Sequence, residues 1–358
     1  MYNGITGPLP GKITYDLTTL SRPHPARTPA RCQELVKIAL RAYGMEDAQL
    51  TFLQYLANVI YRVDLPGGSA QGDEKGPYVP NRFLLRLHAW DNVPYINSEM
   101  IWLEALANEG GLAVQKPIRA LNGEFSVQVS SPKIPQGRCA TLLGWLDGRK
   151  LDRSIRPMHL KSLGRLVAQL HTFSANWQPP EAFSRPAWDW EAQLGGSMFD
   201  VTIEELVATM PGRFQGPFET ISQEAKDAMA NLGKGSDAFG LIHADLYPEN
   251  VLFKAGQAYP IDFEDCGFSW WIWDIAVALC TWAWKPGWER MRDAFYEGYQ
   301  AVRTLPAEQW EMLELFIAIQ YATMVIWASL FLKNDPMRAD EHIPWRDESG
   351  ERLLAYYD

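Results

Sequence analysis

Apolar positions along this chain change their period near its middle. Up to about residue 146 they fall mostly in short runs rich in aromatic and β-branched residues, the pattern of strands. Beyond it they recur at three- and four-residue spacing, the pattern of helices. Strands are expected at Gln49–Leu56, Asn58–Leu65 and Asn81–Ala89, then near Val114–Ala120, Glu124–Val129 and Arg138–Trp145. Among them lie two helices. Thr28 as cap and Pro29 at the first position open one that runs to about Tyr43, where Gly44 ends it. Asn97–Asn108 forms the other, with Ile101, Leu103 and Leu106 among its apolar positions.

Past the connector Gly144-Trp145-Leu146-Asp147-Gly148 the pattern is helical. Pro157–Ser174 carries Leu160, Leu163, Leu166, Val167 and Leu170 at helical spacing, and Pro179–Ala187 reads as a loop. Thr202–Met210, Glu219–Leu232, Trp288–Arg303 and Ala307–Lys333 are further helices, followed by a charged tail. Trp270–Trp284 is apolar nearly all round apart from Asp274, which predicts a buried helix. Residues 1–27, rich in Gly, Pro, Thr and Arg, read as an arm over the surface, and Pro66–Pro80 as a flexible hairpin insertion. The expectation is an α+β chain in two lobes: a strand-rich lobe over residues 1–143 and a mainly helical lobe over 144–358.

A chain of 358 residues with 47% hydrophobic residues has material for a substantial core. The net charge of −10 argues against nucleic acid as a partner, since phosphate backbones need a basic face. Cys32, Cys139, Cys266 and Cys280 show no C-x-x-C and no metal-ligand spacing, so they read as reduced, buried thiols. The N-terminus shows no charged segment followed by an apolar run, and charges interrupt the apolar helices before the roughly 18 residues a membrane span needs. The sequence therefore predicts a cytoplasmic protein with no membrane partner.

The chemistry concentrates in two stretches, Leu241–Phe253 and Pro260–Asp265. Each is an apolar run leading into a carboxylate. Asp245 is followed five residues later by Asn250, and Asp262-Phe263 comes soon after, with Glu264 where Gly is usual in a D-F-G motif. An acid, an amide and a second acid at this spacing suit phosphoryl transfer. One carboxylate accepts a hydroxyl proton, and hard oxygens hold Mg²⁺ on a nucleoside triphosphate.

These residues resemble the aminoglycoside phosphotransferase and choline kinase-like group, nearest to the bacterial homoserine kinase type II-like and stress-response kinase-like phosphotransferases. The resemblance covers about residues 50–305. It rests on Asn81–His88, Ser98–Leu103, Gly144–Gly148, Leu163-Gly164 with Leu170-His171, Arg185–Trp190, the two catalytic stretches, and Trp273–Ala276. It implies a two-lobed protein kinase-like fold with ATP bound between the lobes. Carried over position by position, Asp245 matches the catalytic base, and Asn250 and Asp262 match the Mg²⁺ ligands. Arg86 matches the cation directed at the α- and β-phosphates, and Glu99 its partner on the helix. Leu143, Gly144 and Trp145 match the connector that pairs with adenine, while Leu252 and Ile261 match apolar residues around the base. The loop matching the phosphate cover, Leu56-Ala57-Asn58-Val59, contains no glycine, and Arg86 stands where Lys is common.

Between Asp262 and the helix at Trp270 there is little room for a peptide platform, and no A-P-E element is present. The segment Glu264–Trp273 is acidic, then aromatic, and Tyr247 stands two residues after Asp245. Carboxylates and aromatic faces suit a cation. Tyr247, Glu264, Asp265 and Trp271 are therefore the candidate contacts to a small hydroxylated acceptor bearing an amine: an amino alcohol, a hydroxy amino acid or an aminoglycoside-like molecule. Two other readings stay open at this point, a stress-response-type protein Ser/Thr kinase and a catalytically weak nucleotide-binding module.

Overall fold

A computed structural model of the chain describes residues 29–55, 58–67, 76–89, 92–151, 154–334, 336 and 339–358. The expected surface arm, the Thr28 cap and the middle of the Pro66–Pro80 insertion lie outside these residues.

Helix α1 (Pro29–Ala42) is followed by strands β1 (Gln49–Tyr55), β2 (Val59–Asp64) and β3 (Tyr78–Leu87). Helix α2 (Val93–Asn108) leads to β4 (Pro117–Ile118), β5 (Ser126–Ser131) and β6 (Ile134–Leu146). The six strands form one antiparallel sheet in the order β1-β2-β3-β6-β4, with β5 also paired to β6. Alternation decides which face is covered: Val59, Tyr61 and Val63 of β2 are buried while Ile60, Arg62 and Asp64 are not. On the buried face, Cys32, Leu35, Val36 and Ala39 of α1 pack with Leu85 and Leu87 of β3 and Leu142 of β6. The expected strand at Val114–Ala120 shrinks to two residues because Pro117 has no N–H to give a ladder.

Helix α2 starts earlier than its apolar pattern suggested. Asn92 caps it, its side chain accepting from the Tyr95 N–H at 3.2 Å, and Pro94 sits in the first turn. Its packing is informative. Met100, Trp102, Leu103 and Leu106 join the core of the helical lobe rather than the core beneath the sheet. Glu99 is thus carried on an element anchored to one lobe while facing the other.

The helical lobe contains α3 (Pro157–Asn176), α4 (Gly212–Leu232), β7 (Phe239–Ile242), β8 (Val251–Lys254), β9 (Gln257–Pro260) and β10 (Gly267–Trp270). Then follow α5 (Trp271–Cys280), α6 (Trp288–Gln300), α7 (Leu313–Asn334) and α8 (Ala339–Ala355). Pairing of β10 with β7 and of β8 with β9 frames the catalytic stretches. Helices α3 and α6 meet through glycines. A Cβ on Gly164 would lie 2.1 Å from the Phe295 carbonyl oxygen, and one on Gly298 would lie 1.9 Å from the Lys161 carbonyl oxygen.

Two sequence readings are corrected here. The charged tail is helix α8, which buries only Ser349, Gly350 and Leu353 against its neighbours; so narrow an apolar stripe gives little periodic signal. Secondly, the Ala307–Asn334 region is long and apolar enough to cross a membrane by length and composition, contrary to expectation. Of its most apolar window, 72% is buried inside the protein, as in a core helix.

Candidate active site

The site forms where the loops after β7 and β9 face β3 and α2. Its backbone is held from below by Asp274 of α5, which is fully buried. One oxygen of this carboxylate accepts from the Ala244 N–H (2.8 Å), and the other from the His243 N–H (3.3 Å) and the His171 ring (3.1 Å). Asp274 can only accept, so His171 Nε2 carries the proton of that bond, and in the neutral ring Nδ1 is left as the acceptor for the Tyr299 hydroxyl, 2.9 Å away. Burial pushes its pKa below the ordinary histidine value despite Asp274.

His243 is neutral by the same argument. Its Nδ1 accepts from the Asp245 N–H (3.3 Å), which leaves Nε2–H to donate to the Ile261 carbonyl (3.2 Å). This one ring joins the two catalytic stretches. The turns it braces are strained: Ala244 and Asp262 both take positive φ, 68° and 65°, a cost of about 1–3 kcal/mol each that the surrounding bonds must offset.

Asn250 reaches back to Asp245. Its Nδ2 donates to the Asp245 carbonyl (2.9 Å) and carboxylate (2.6 Å), which leaves Oδ1 outside these two bonds. Across the lobe boundary Arg86 grips Glu99 with one nitrogen (3.0 and 3.1 Å) and Asp262 with another (3.1 Å). Burial works against the Arg86 charge, but Glu99, Asp262 and Glu264 outweigh it and hold the guanidinium's pKa above its ordinary value. Asp262 keeps 45% of its side chain exposed. Among the described residues no three His, Cys, Asp or Glu side chains cluster to hold a metal unaided. Asn250 and Asp262 offer two hard oxygens, the number suited to a Mg²⁺-like ion that takes its other ligands from phosphate and water.

Negative charge accumulates around this pair. Burial, then the Asp265 and Asp262 charges, push Asp245 well above the usual carboxylate range. Burial, with Glu264 and Asp262, raises Asp265 to about 7. Such crowding is relieved by bringing in cations.

The connector residues come to the same place. Bridging between Arg149 and Phe253 lays the chain after β6 beside β8, so that Leu252 lies under Gly148. Leu252 and Ile261 are both part-exposed. The Gly144 N–H, however, is engaged by the Lys116 carbonyl at 2.7 Å and offers no donor to a base; Leu143 is buried and Trp145 half-buried.

Of the expected acceptor contacts, Trp271 is corrected. It is fully buried, its ring against His171 (4.7 Å between centroids) and over Gly240, where no side chain would fit. Glu264 turns to the strand-rich lobe, engaging Asn58 and His88. Tyr247 remains half-buried, its hydroxyl 3.4 Å from Gln320 of α7. Sequence reasoning missed Arg185. This buried guanidinium donates to the Glu264 and Cys266 carbonyls and to that of Tyr95, lying 3.5 Å over the Tyr95 ring. Trp188 adds a bond from its indole N–H to the Asp265 carbonyl (2.7 Å). The only signal was their place in the Arg185–Trp190 segment.

Comparison with known proteins bears on the chain as a whole. The sequence pattern of the phosphotransferase enzyme family matches residues 70–311. The chain is 28% identical over 260 residues to the amicoumacin kinase of Bacillus subtilis (strain 168), covering 71% of this chain and 69% of that one. It is 28% identical over 251 residues to the homoserine kinase of Hyphomonas neptunium, covering 67% and 70%. The structure of a microcompartment-associated aminopropanol kinase superposes with a TM-score of 0.72 at 25% identity, over 89% of this chain and 97% of that one.

Proposed function

Because the chain belongs to the phosphotransferase enzyme family, it is a small-molecule kinase, and we propose that its acceptor is an alcohol bearing an amine. ATP is the phosphoryl donor in this reading, lying between the lobes with Leu252 and Ile261 against the base. In the same reading the strand-rich lobe runs to Leu143 and the helical lobe begins at Gly144. Asn250 Oδ1 and Asp262 would hold Mg²⁺, which neutralises and positions the triphosphate when bound. Arg86, fixed by Glu99, supports Asp262 and faces the phosphates.

Asp245 accepts a hydrogen bond from the acceptor hydroxyl and takes its proton as the oxygen attacks the γ-phosphorus. The bond to the β,γ-bridging oxygen breaks, and ADP leaves. Asn250 fixes the rotamer of Asp245 through its Nδ2, so the base and the metal ligand are positioned together.

The observation that carries the amine is the excess of carboxylate. Asp265 and Asp262 raise Asp245, and Glu264 and Asp262 raise Asp265, whereas Arg86 is spent on Glu99 and Asp262 and Arg185 on backbone carbonyls, so neither bonds the Asp245 or Asp265 carboxylate. A divalent ion offsets part of this charge, and an ammonium beside Asp265 and Tyr247 offsets the rest. The relatives point the same way, since homoserine and aminopropanol each carry an amine and a hydroxyl. The test is a coupled ADP-release screen of amino alcohols, hydroxy amino acids and aminoglycosides beside their amine-free analogues. Turnover confined to amine-bearing acceptors is expected; equal turnover of the amine-free analogues contradicts the assignment.

A further inference from the structure

We propose that Asn58 and Glu264 form a clamp that holds the β1–β2 hairpin against the metal-binding segment, so that two side chains position this glycine-free hairpin over the nucleotide phosphates. The inference rests on the nucleotide site described above. From Gln49 to Leu65 the hairpin contains no glycine, so it lacks the residues that let a glycine-rich loop bring its backbone close around phosphates.

Asn58 immediately precedes β2, and its side-chain amide makes two directed bonds. The Ala89 N–H is a donor, so the atom 2.9 Å from it is Oδ1; this turns Nδ2 toward Glu264 Oε2, at 2.5 Å. The bond joins residues 206 positions apart and spans the two lobes. Its other end is two residues from Asp262. The other Glu264 oxygen lies 3.7 Å from the His88 ring. A bond from an amide N–H to a carboxylate is charge-assisted. The backbone behind it is fixed by Arg185, which donates to the Glu264 carbonyl.

A metal-ligand role for Glu264, as a second acid beside Asp262, makes different demands. A clamp needs an acceptor for Asn58 Nδ2, which an amide oxygen supplies; a metal ligand needs the negative charge. Glu264→Gln separates the two. Calorimetry on the full chain with Mg·AMP-PNP and, separately, adenosine reads the result. Asn58→Ala and Glu264→Ala should each weaken Mg·AMP-PNP about tenfold, the effect of one charge-assisted hydrogen bond. The double variant should be no weaker than either single one, because both remove the same contact. Glu264→Gln should lose less than about threefold. Adenosine, which has no phosphates, should bind all forms alike.

If Glu264→Gln weakens the nucleotide as much as Glu264→Ala while Asn58→Ala binds normally, Glu264 is a metal ligand and the clamp is wrong. Equal weakening of adenosine and Mg·AMP-PNP by Asn58→Ala reduces the contact to general stability and overturns the positioning role. Wild-type protein that binds Mg·AMP-PNP beside an unaffected Asn58→Ala overturns the clamp alone. Wild-type protein that binds no nucleotide overturns the site and the clamp together.

Discussion

Glu99→Ala tests how the lobes are joined at the site. The Arg86 and Glu99 side chains are 4% and 1% exposed, and the guanidinium meets both carboxylate oxygens within 3.1 Å. Removing one partner of a buried pair leaves an uncompensated charge and costs about 3–5 kcal/mol. Arg86 keeps a second contact with Asp262, which is 45% exposed and so recovers part of that loss. The net cost should be about 2–3 kcal/mol, or roughly 30- to 150-fold in the ratio of folded to unfolded protein. Glu99→Gln keeps the shape and one acceptor oxygen, and should cost about half as much. Urea unfolding gives the answer as a lower midpoint at unchanged slope. Freed from Glu99, Arg86 would also compete with the metal for Asp262, so Mg·ATP should bind about tenfold more weakly. Stability within about 0.5 kcal/mol of wild type, the usual range for a change at an uninvolved surface site, would refute the reasoning.

Asp262→Ala removes the exposed carboxylate assigned to Mg²⁺, so calorimetry in Mg²⁺ should show ATP affinity falling by tenfold or more; equal affinity removes Asp262 from the metal site. His171, packed among Asp274, Tyr299 and Arg303, has a folded pKa below its unfolded value near 6.5. The neutral form is the one folded, so its contribution is complete above 6.5 and is lost as pH falls toward the folded value, where unfolding takes up a proton. His171→Gln should flatten the fall in stability between pH 6.5 and 5.5 by up to about 1.4 kcal/mol. Parallel pH profiles from urea unfolding would contradict this.

The catalytic stretches were legible in the sequence because their functional groups are local. Asp245 and Asn250 touch each other across five residues, and the apolar residues around them mark the short strands β7 and β8. Asp274 was legible for another reason, since a lone acid in an all-apolar helix must find partners, and it finds the His243 and Ala244 amides. What could not be read depends on distant contacts. Nothing near Trp271 shows that Gly240 opens a slot for its ring; the same acidic-then-aromatic run would read identically if the indole faced a substrate. Glu264 looked like an acceptor contact because its partners, Asn58 and His88, lie far off in the chain. The Gly144 amide read as open until β4 brought Lys116 beside it. Helix α8 escaped because its buried face is two small residues and a leucine.

The central claim is that Asp245 is the base and that Asn250 and Asp262 hold the metal, so binding and chemistry reside on different side chains. Asp245→Asn keeps the size of the side chain and an acceptor oxygen while removing the charge that takes the hydroxyl proton. General-base assistance is typically worth about 10²–10⁴-fold. The measurement pairs phosphoryl transfer to the acceptor found in the screen with Mg·ATP affinity by calorimetry, because ATP hydrolysis by water can bypass the acceptor. The account predicts transfer reduced by at least about a hundredfold with affinity within a few-fold of wild type. Near wild-type transfer by Asp245→Asn would contradict it, and would leave Asp245 as a brace for Asn250 rather than the base.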